Sequence, residues 1–265
     1  MSRSPGRQIT LISSGKTPYN MALGDKTIDT RHTKDSLKMQ TIDRVQLSQF
    51  INDKQVLEGT VERPGLMLTP AGEIVKFFYR RKIISTATIF PQALQFESSS
   101  QKLLVRDIPA PIVKEIIYCQ EIPVHMVIYD RLDGVDVREL CGSTGVECLV
   151  RLPGFLAHLH KIGIYFRAIH LGNILVYDDI ISLVDISDLS VQKFSLGVFK
   201  RARNLAHLFN SEADKTFFVR YGVNKFIQEY IEVSKLGAAQ GWLFEKRLRL
   251  ALDSDMVQSA FTPPV

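Results

Sequence analysis

The sequence contains no apolar run of the roughly 18 to 20 residues that a membrane-spanning helix needs. Its longest apolar stretches, such as "NILVYDDIISLV", are interrupted by aspartates. The stretch "MSRSPGRQITLISSGK" at the N-terminus also lacks the apolar core of about 7–15 residues that a secretory signal carries. We therefore expect neither a membrane-spanning helix nor secretion.

Cysteine is scarce: Cys119, Cys141 and Cys148 form no CxxC pair and leave an odd thiol. This pattern favours a reducing compartment over a disulfide framework, and with it a cytoplasmic location. Each thiol is interpreted as a small buried apolar side chain. A zinc site is not predicted, because His158 and His160 point to different helix faces and have no partner at ligand spacing.

The net charge of +5 is unevenly distributed. Residues 1–38 hold seven Lys and Arg against three Asp and Glu, which leaves 26 of the 33 basic and 25 of the 28 acidic residues elsewhere. A nearly neutral remainder without a recognisable motif predicts no nucleic-acid partner. Residues 1–38 are polar and aperiodic, which predicts a disordered leader. A start site placed too early is the alternative, since Met39 opens a more protein-like stretch.

The chain changes character near residues 130–135. Before this point, "GTVERPGLMLTPAGEIVKFFYRRK" predicts two strands around a Pro-Ala-Gly turn, residues 89–105 predict a helix, and two more strands follow. After it, leucines at helical spacing surround Pro153, which should kink that helix or shift its start. A hairpin and further helices complete the chain. We predict an α+β fold with two lobes, 39–132 and 133–265, and a cleft between them.

Lys76 is the first candidate for chemistry. It lies in the strand "EIVKFF", where an ammonium among alternating apolar residues can reach a cleft and hold a phosphate. An ordinary solvent-facing lysine is the alternative. Glu97 in the first predicted helix could pair with Lys76 and position it, although a solvated helix glutamate fits the pattern equally well.

Asn173 and Asp185 form the second pair. "NILVY" and "IISLVDI" predict two short strands joined by a tight turn at "YDD", so their far ends should meet. An amide oxygen and a carboxylate suit Mg²⁺ that carries substrate phosphates. Capping of a turn by Asn173 and of a helix by Asp185 are the alternatives for each residue taken alone.

In this order, these residues resemble the protein-kinase-like superfamily. "FRAIHLGN" is similar to the catalytic loop of that family, and Asp185 stands where the second metal contact is found. The resemblance implies that ATP and Mg²⁺ are cofactors, with Lys76 on the phosphates and Asn173 and Asp185 on the metal. "VIYDRLDGVDVREL" resembles the linker between the lobes, which would place adenine against the backbone near Ile128 and Tyr129.

A narrower resemblance rests on "EIVKFFYRRKIISTATIFPQALQF" and "YFRAIHLGNIL". These strings are similar to a bacterial group related to the lipopolysaccharide-core sugar kinases, whose members are often labelled toluene tolerance proteins. The resemblance implies a sugar or glycolipid acceptor and work at the cytoplasmic face of the inner membrane. The basic helix "GWLFEKRLRLAL" could touch a membrane surface, although packing as the last core helix is the more ordinary interpretation.

The chain departs from the family pattern in three places. No G-x-G-x-x-G precedes Lys76, and Ile-Ser rather than Phe-Gly follows Asp185. The catalytic aspartate of the frame falls on Ala168, whose methyl group cannot accept a proton from an attacking hydroxyl. His170, two residues on, is our hypothesis for a replacement base, and Arg167 beside the gap is the second catalytic candidate. Hydrogen bonding of His170 that only orders the loop remains the alternative.

Two functions follow from these residues. The first is an ATP-dependent phosphotransferase acting on a sugar hydroxyl, which the combination of Lys76, Asn173 and Asp185 favours. The second is a pseudokinase that serves as a nucleotide-binding or regulatory scaffold, which Ala168 favours. Transfer relies mainly on positioning and charge, so the loss of the base does not by itself exclude activity.

Overall fold

The computed structural model describes residues 39–80 and 91–261. A six-stranded sheet dominates the described chain up to residue 130, and helices dominate it from residue 137 onward. The fold is therefore mixed α+β, with a β-rich N-terminal part and a helical C-terminal part, an arrangement compatible with two lobes. The predicted leader at 1–38 lies outside the described residues, and the predicted lobe boundaries stay a prediction.

The large sheet has the strand order β1-β5-β6-β4-β3-β2. Its strands are β1 (Met39–Ile42), β2 (Gln55–Gly59), β3 (Pro64–Leu68), β4 (Glu73–Tyr79), β5 (Val113–Cys119) and β6 (Val124–Asp130). All neighbours are antiparallel except β1, which pairs with β5 in parallel. The predicted Pro-Ala-Gly turn joins β3 to β4, and Gly72 in it has a φ of 82°, a conformation that favours glycine.

Two helices accompany this sheet. Helix α1 (Arg44–Ile51) begins with a capping box, in which Asp43 accepts from the backbone of Gln46 and Gln46 accepts from that of Asp43. Helix α2 (Gln92–Leu104) buries Phe96 and Leu103 and packs against the sheet. This confirms the predicted helix over the part of 89–105 that the structure describes. Helix α2 also contacts the turn Ile186–Asp188, so it bridges the sheet and the hairpin.

Short strand pairs and helices make up the C-terminal part. The strands are β7 (Val135–Asp136), β8 (Ile164–Phe166), β9 (Ile174–Tyr177), β10 (Ile180–Leu183) and β11 (Leu189–Val191). The helices are α3 (Val137–Thr144), α4 (Leu152–Lys161), α5 (Val198–Phe209), α6 (Lys215–Tyr221), α7 (Val223–Val233), α8 (Ala238–Arg249) and α9 (Ser254–Phe261). Pro153 sits in the first turn of α4 after a 3₁₀ segment, Val146–Arg151, so it sets the start of the helix rather than kinking it.

None of the helices in the described part of the chain is long and apolar enough to cross a membrane. Cys119, Cys141 and Cys148 are all free thiols. Cys119 and Cys141 are buried as predicted, whereas Cys148 is only half-buried.

Candidate active site

The hairpin β9–β10 brings Asn173 and Asp185 to neighbouring positions. Ile174 pairs with Leu183 at the open end of the hairpin, and the Val184 amide donates to the Asn173 carbonyl at 3.0 Å. Asn173 therefore lies immediately before one strand, and Asp185 lies two residues after the end of the other. The tight turn between the strands thus brings the backbone of Asn173 close to that of the residues leading into Asp185.

Lys76 reaches this hairpin from the sheet. Its Nζ lies 2.8 Å from Oδ1 of Asp185, and the lysine side chain is only 15% exposed. The hydroxyl of Ser187 also donates to Oδ1 of Asp185, at 3.2 Å. Asp185 itself is in the left-handed region, with φ 51° and ψ 46°, a conformation that costs most side chains energy and that aspartate tolerates better than most. The ammonium from one half of the chain thus meets the carboxylate of the other.

Asn173 is oriented by the loop before it. Its Nδ2 donates to the carbonyl of Ala168 at 2.9 Å, and the residue is 7% exposed. Since Nδ2 is engaged with the loop, Oδ1 is the end of the amide that remains for a cation. Asn173 and Asp185 together supply the hard oxygen atoms that Mg²⁺ prefers.

The ion pair of Arg138 and Asp214 holds the loop between Ala168 and Asn173 in place. Asp214 is fully buried, and Nε of Arg138 on α3 lies 2.6 Å from its Oδ1. Its other oxygen accepts the backbone amide of Leu171 at 2.9 Å. A Cβ at Gly172 would lie 2.9 Å from Nη1 of Arg138, so a larger residue there would force this guanidinium to shift. The ion pair therefore fixes the backbone that carries the candidate residues.

His170 belongs to the same cluster. Its Nδ1 lies 3.2 Å from Nη2 of Arg138, and because a guanidinium only donates, Nδ1 must accept. The proton of the neutral ring then sits on Nε2. Burial first, and then the charge of Arg138, lower the pKa of His170. His170 is therefore a neutral hydrogen-bond donor, with the lone pair of Nδ1 already engaged by Arg138.

Arg167 lies on the surface beside Ala168. Its Nε is 3.0 Å from Oδ2 of Asp188, and its backbone amide donates to the Asp188 carbonyl at 3.1 Å. Both side chains are about half exposed, at 58% and 45%. Because β8 pairs with β11 in antiparallel fashion and Phe166 faces Leu189, Arg167 and Asp188 lie opposite each other just beyond this strand pair, next to Ala168 in the chain.

A buried polar network holds the strand that precedes Ala168. His160 of α4 donates from Nε2 to Oδ1 of Asn204 at 3.0 Å and accepts at Nδ1 from the Tyr230 hydroxyl at 2.6 Å. Asn204 donates from Nδ2 to the carbonyl of Phe166 at 2.6 Å. Burial lowers the pKa of His160 to about 3. Helices α4, α5 and α7 are thereby tied to the strand β8.

Ile128 and Tyr129 lie inside strand β6 rather than after it. Ile128 pairs with Val75 on one side and Glu115 on the other, so its backbone belongs to the sheet ladder. Burial first, and then the charge of Asp185, raise the pKa of Tyr129, which places its hydroxyl within electrostatic range of the hairpin. The first residues outside the sheet are those of the linker 131–133, and the predicted contact of Ile128 and Tyr129 with adenine stays a prediction.

Glu97 is not brought together with Lys76. It lies on α2 and is half-buried, but Lys76 forms its ion pair with Asp185 and none with Glu97. Within 39–80 and 91–261, no group of three or more His, Cys, Asp or Glu side chains is arranged so that it could hold a metal ion. A cation at the hairpin would be bound by Asn173, Asp185 and oxygen atoms of a phosphate-bearing substrate or of water.

Sequence reasoning missed three residues that build the site. Arg138 on α3 and Asp214 in the turn before α6 are 76 positions apart, and no local pattern connects them. In the structure Asn204 is 2% exposed and bonded to His160 and Phe166.

In comparison with known proteins, no family model and no curated sequence matches this chain. Its class therefore rests on the quoted motifs and on the geometry described above.

Proposed function

We propose that this protein is an ATP-dependent phosphotransferase with a two-lobed, protein-kinase-like fold. Its acceptor would be a sugar hydroxyl of the lipopolysaccharide core or of a related envelope glycolipid. The observation that carries the proposal is the 2.8 Å contact between Lys76 of the sheet and Asp185 of the hairpin, with Asn173 at the adjacent hairpin end. These three residues come from both halves of the chain and meet at one place.

The arrangement of elements supports the same fold. A mainly antiparallel sheet with α2 inserted between β4 and β5 is followed by a short linker and a helical half. Helix α2 contacts the turn after Asp185, so it touches both halves at the site. This is the layout that the resemblance to kinase-like proteins implies, although the parallel strand β1 is an addition to the predicted sheet.

Each residue of the triad has a separate task in this proposal. Lys76 holds the phosphates of ATP, exchanging part of its contact with Asp185 for phosphate oxygens. Asn173 and Asp185 hold Mg²⁺, which when bound neutralises charge on the transferred phosphoryl group. The hydrogen bond from Nδ2 of Asn173 to the Ala168 carbonyl leaves Oδ1 as the side-chain atom that would bind the metal.

The acceptor side of the site supplies position and charge instead of a base. Ala168 has no proton acceptor, and Arg138 occupies the acceptor nitrogen of His170. The Nε2–H of His170 and the guanidinium of Arg167 are both donors, so they suit the oxygens of a phosphorylated or phosphate-bearing substrate. A site of this kind should be slower than one with a base by about 10²–10⁴-fold.

A nucleotide-binding pseudokinase is the second candidate function. Two observations favour it: the methyl group of Ala168 at the base position, and the engagement of His170 Nδ1 with Arg138. In this case Lys76, Asn173 and Asp185 would bind Mg²⁺-ATP, and the protein would act on partners through its conformation.

Transfer of a labelled γ-phosphate to purified lipopolysaccharide core acceptors tests the proposal. We expect metal-dependent labelling of the acceptor that Lys76→Met abolishes and that Lys102→Met, an exposed lysine on α2, leaves intact. ATP binding without labelling of any sugar acceptor would favour the pseudokinase. An absence of both ATP binding and transfer would contradict both functions.

A further inference from the structure

Helix α8 presents an aromatic face to solvent. Trp242, the only tryptophan of the chain, is 63% exposed there, and Phe199 at the start of α5 is 53% exposed. The opposite face of α8 packs into the protein through Phe244 and Leu248, both fully buried. Tryptophan side chains bury large apolar areas, so this degree of exposure on a well-packed helix indicates a partner.

Basic side chains lie along both exposed rings. Nζ of Lys246 is 5.0 Å from the centre of the Trp242 ring, and the guanidinium carbon of Arg247 is 4.4 Å from that of Phe199. We call Phe199, Trp242, Lys246 and Arg247 the α8 face. Lys200 and Arg203 on α5 are exposed as well and extend its positive charge.

Glu245, the acidic residue within α8, is engaged by a side chain of the neighbouring helix α7. Glu245 accepts a hydrogen bond from Gln228 of α7 at 2.8 Å. The α8 face therefore combines apolar rings with an excess of positive charge.

We propose that the α8 face docks on an anionic phospholipid surface. Aromatic rings with a polar edge settle at the headgroup level of a bilayer, and Lys and Arg place their stems along apolar surface while their charges reach the phosphates. Each basic residue near an anionic membrane strengthens binding by about fivefold.

Other partners fit this face less well. Four side chains fall far short of the roughly 20–30 residues per partner that a stable protein interface uses. The nearly neutral charge of residues 39–265 also lacks the broad basic surface typical of nucleic-acid binding. Docking on a membrane is independent of the proposed phosphotransferase, because it requires neither ATP nor turnover.

The α8 face is connected to the candidate site by helix α5. Phe199 and Arg203 are four residues apart on α5, so they are neighbours on one side of the helix. His207 follows Arg203 by four residues on α5, and its Nε2 lies 3.2 Å from the hydroxyl of Tyr165, two residues before Arg167. Helix α5 thus runs from the α8 face to the strand that leads to Arg167 and Ala168. A docked α8 face would bring the acceptor side of the site close to the membrane.

The single tryptophan makes the test local. The full chain is titrated with vesicles of phosphatidylcholine alone or with phosphatidylglycerol, and some vesicles carry brominated acyl chains that quench tryptophan at the bilayer. We expect Trp242 emission to shift to the blue and to be quenched with anionic vesicles only. Sedimentation alone would not locate the contact, because residues 1–38 are also basic, with seven Lys and Arg against three Asp and Glu.

Charge reversal supplies the second arm. The double variant Lys246→Glu/Arg247→Glu should bind anionic vesicles at least about 25-fold more weakly, as read from the quenching titration. Each of the two basic contacts contributes about fivefold to this affinity. Lys102→Glu, an exposed lysine on α2, is the matched control and should bind as the unmodified protein does. Circular dichroism of each variant checks that it folds.

Several results would overturn the proposal. Sedimentation with anionic vesicles but without quenching would mean that another part of the chain binds. Equal quenching by phosphatidylcholine alone would remove the role of the basic residues. A blue shift that grows with protein concentration in the absence of vesicles would assign the face to a second copy, and a stronger response to an oligonucleotide would assign it to nucleic acid.

Discussion

Replacing Arg138 by alanine should destabilise the protein by about 3 kcal/mol, because it leaves the carboxylate of Asp214 buried without its partner. Loss of one member of a buried ion pair typically costs about 3–5 kcal/mol. We expect the lower end of this range, since Arg138 is 36% exposed while Asp214 is fully buried, and the Leu171 amide would still donate to the carboxylate. Asp214→Asn should cost less, about 1–2 kcal/mol, because it removes the charge and retains the shape.

Urea unfolding measures these losses directly. With a slope near 3 kcal/mol per molar urea, the Arg138→Ala midpoint should fall by about 1 M. Arg167→Ala is the matched control, because its ion pair with Asp188 is half exposed on both sides and such pairs contribute about 0–1 kcal/mol. Equal midpoints for the two arginine variants would refute the view that the Arg138–Asp214 pair holds the loop between Ala168 and Asn173.

Three further predictions concern the network, the missing base and a glycine. The folded pKa of His160 is about 3 against about 6.5 unfolded, so its contribution to stability is complete above pH 6.5 and decreases as the pH falls. When the pH is lowered from 6.5 to 5, the free energy of unfolding should fall by about 2 kcal/mol more in the unmodified protein than in the His160→Gln variant. Urea unfolding at both pH values measures this difference. Ala168→Asp should raise the rate of phosphate transfer by about 10²–10⁴-fold, whereas Ala168→Asn should not, and an unchanged rate would contradict the assigned base position. Gly163→Ala should lower stability by about 2–4 kcal/mol in thermal unfolding, because φ is 83° and a Cβ would lie 2.4 Å from the Gln192 carbonyl oxygen. A near-neutral effect would mean that the loop can move away.

The hairpin ends were predictable because their geometry is local. Two short apolar strands on either side of a tight turn bring their far ends together, whatever the rest of the chain does. The two predicted strands and the tight turn are present, and the backbones next to Asn173 and Asp185 meet at the open end of the hairpin. The helix start at Pro153 was predictable for the same reason, since proline suits only the first turn.

Contacts between distant segments were not predictable in the same way. The sequence offered Glu97 as an ion-pair partner for Lys76, and the structure instead shows an ion pair between Lys76 and Asp185. The clamp of Arg138 and Asp214 depends on how α3 packs against the loop before α6, which no periodicity reveals. The tautomer of His170 follows from that packing, so its role as a donor could not be inferred from the spacing of "HLGN".

The most direct test of the account is thermal unfolding with ATP, in the presence and absence of Mg²⁺. At a hundredfold excess over its Kd, ATP should stabilise the protein by about 2.7 kcal/mol, and this gain should require Mg²⁺. Asp185→Asn should lose the metal-dependent gain, while Asp188→Asn, three residues away and paired with Arg167, should keep it. Stabilisation that is the same with and without Mg²⁺, or that survives in Asp185→Asn, would contradict a metal-nucleotide site at Lys76, Asn173 and Asp185.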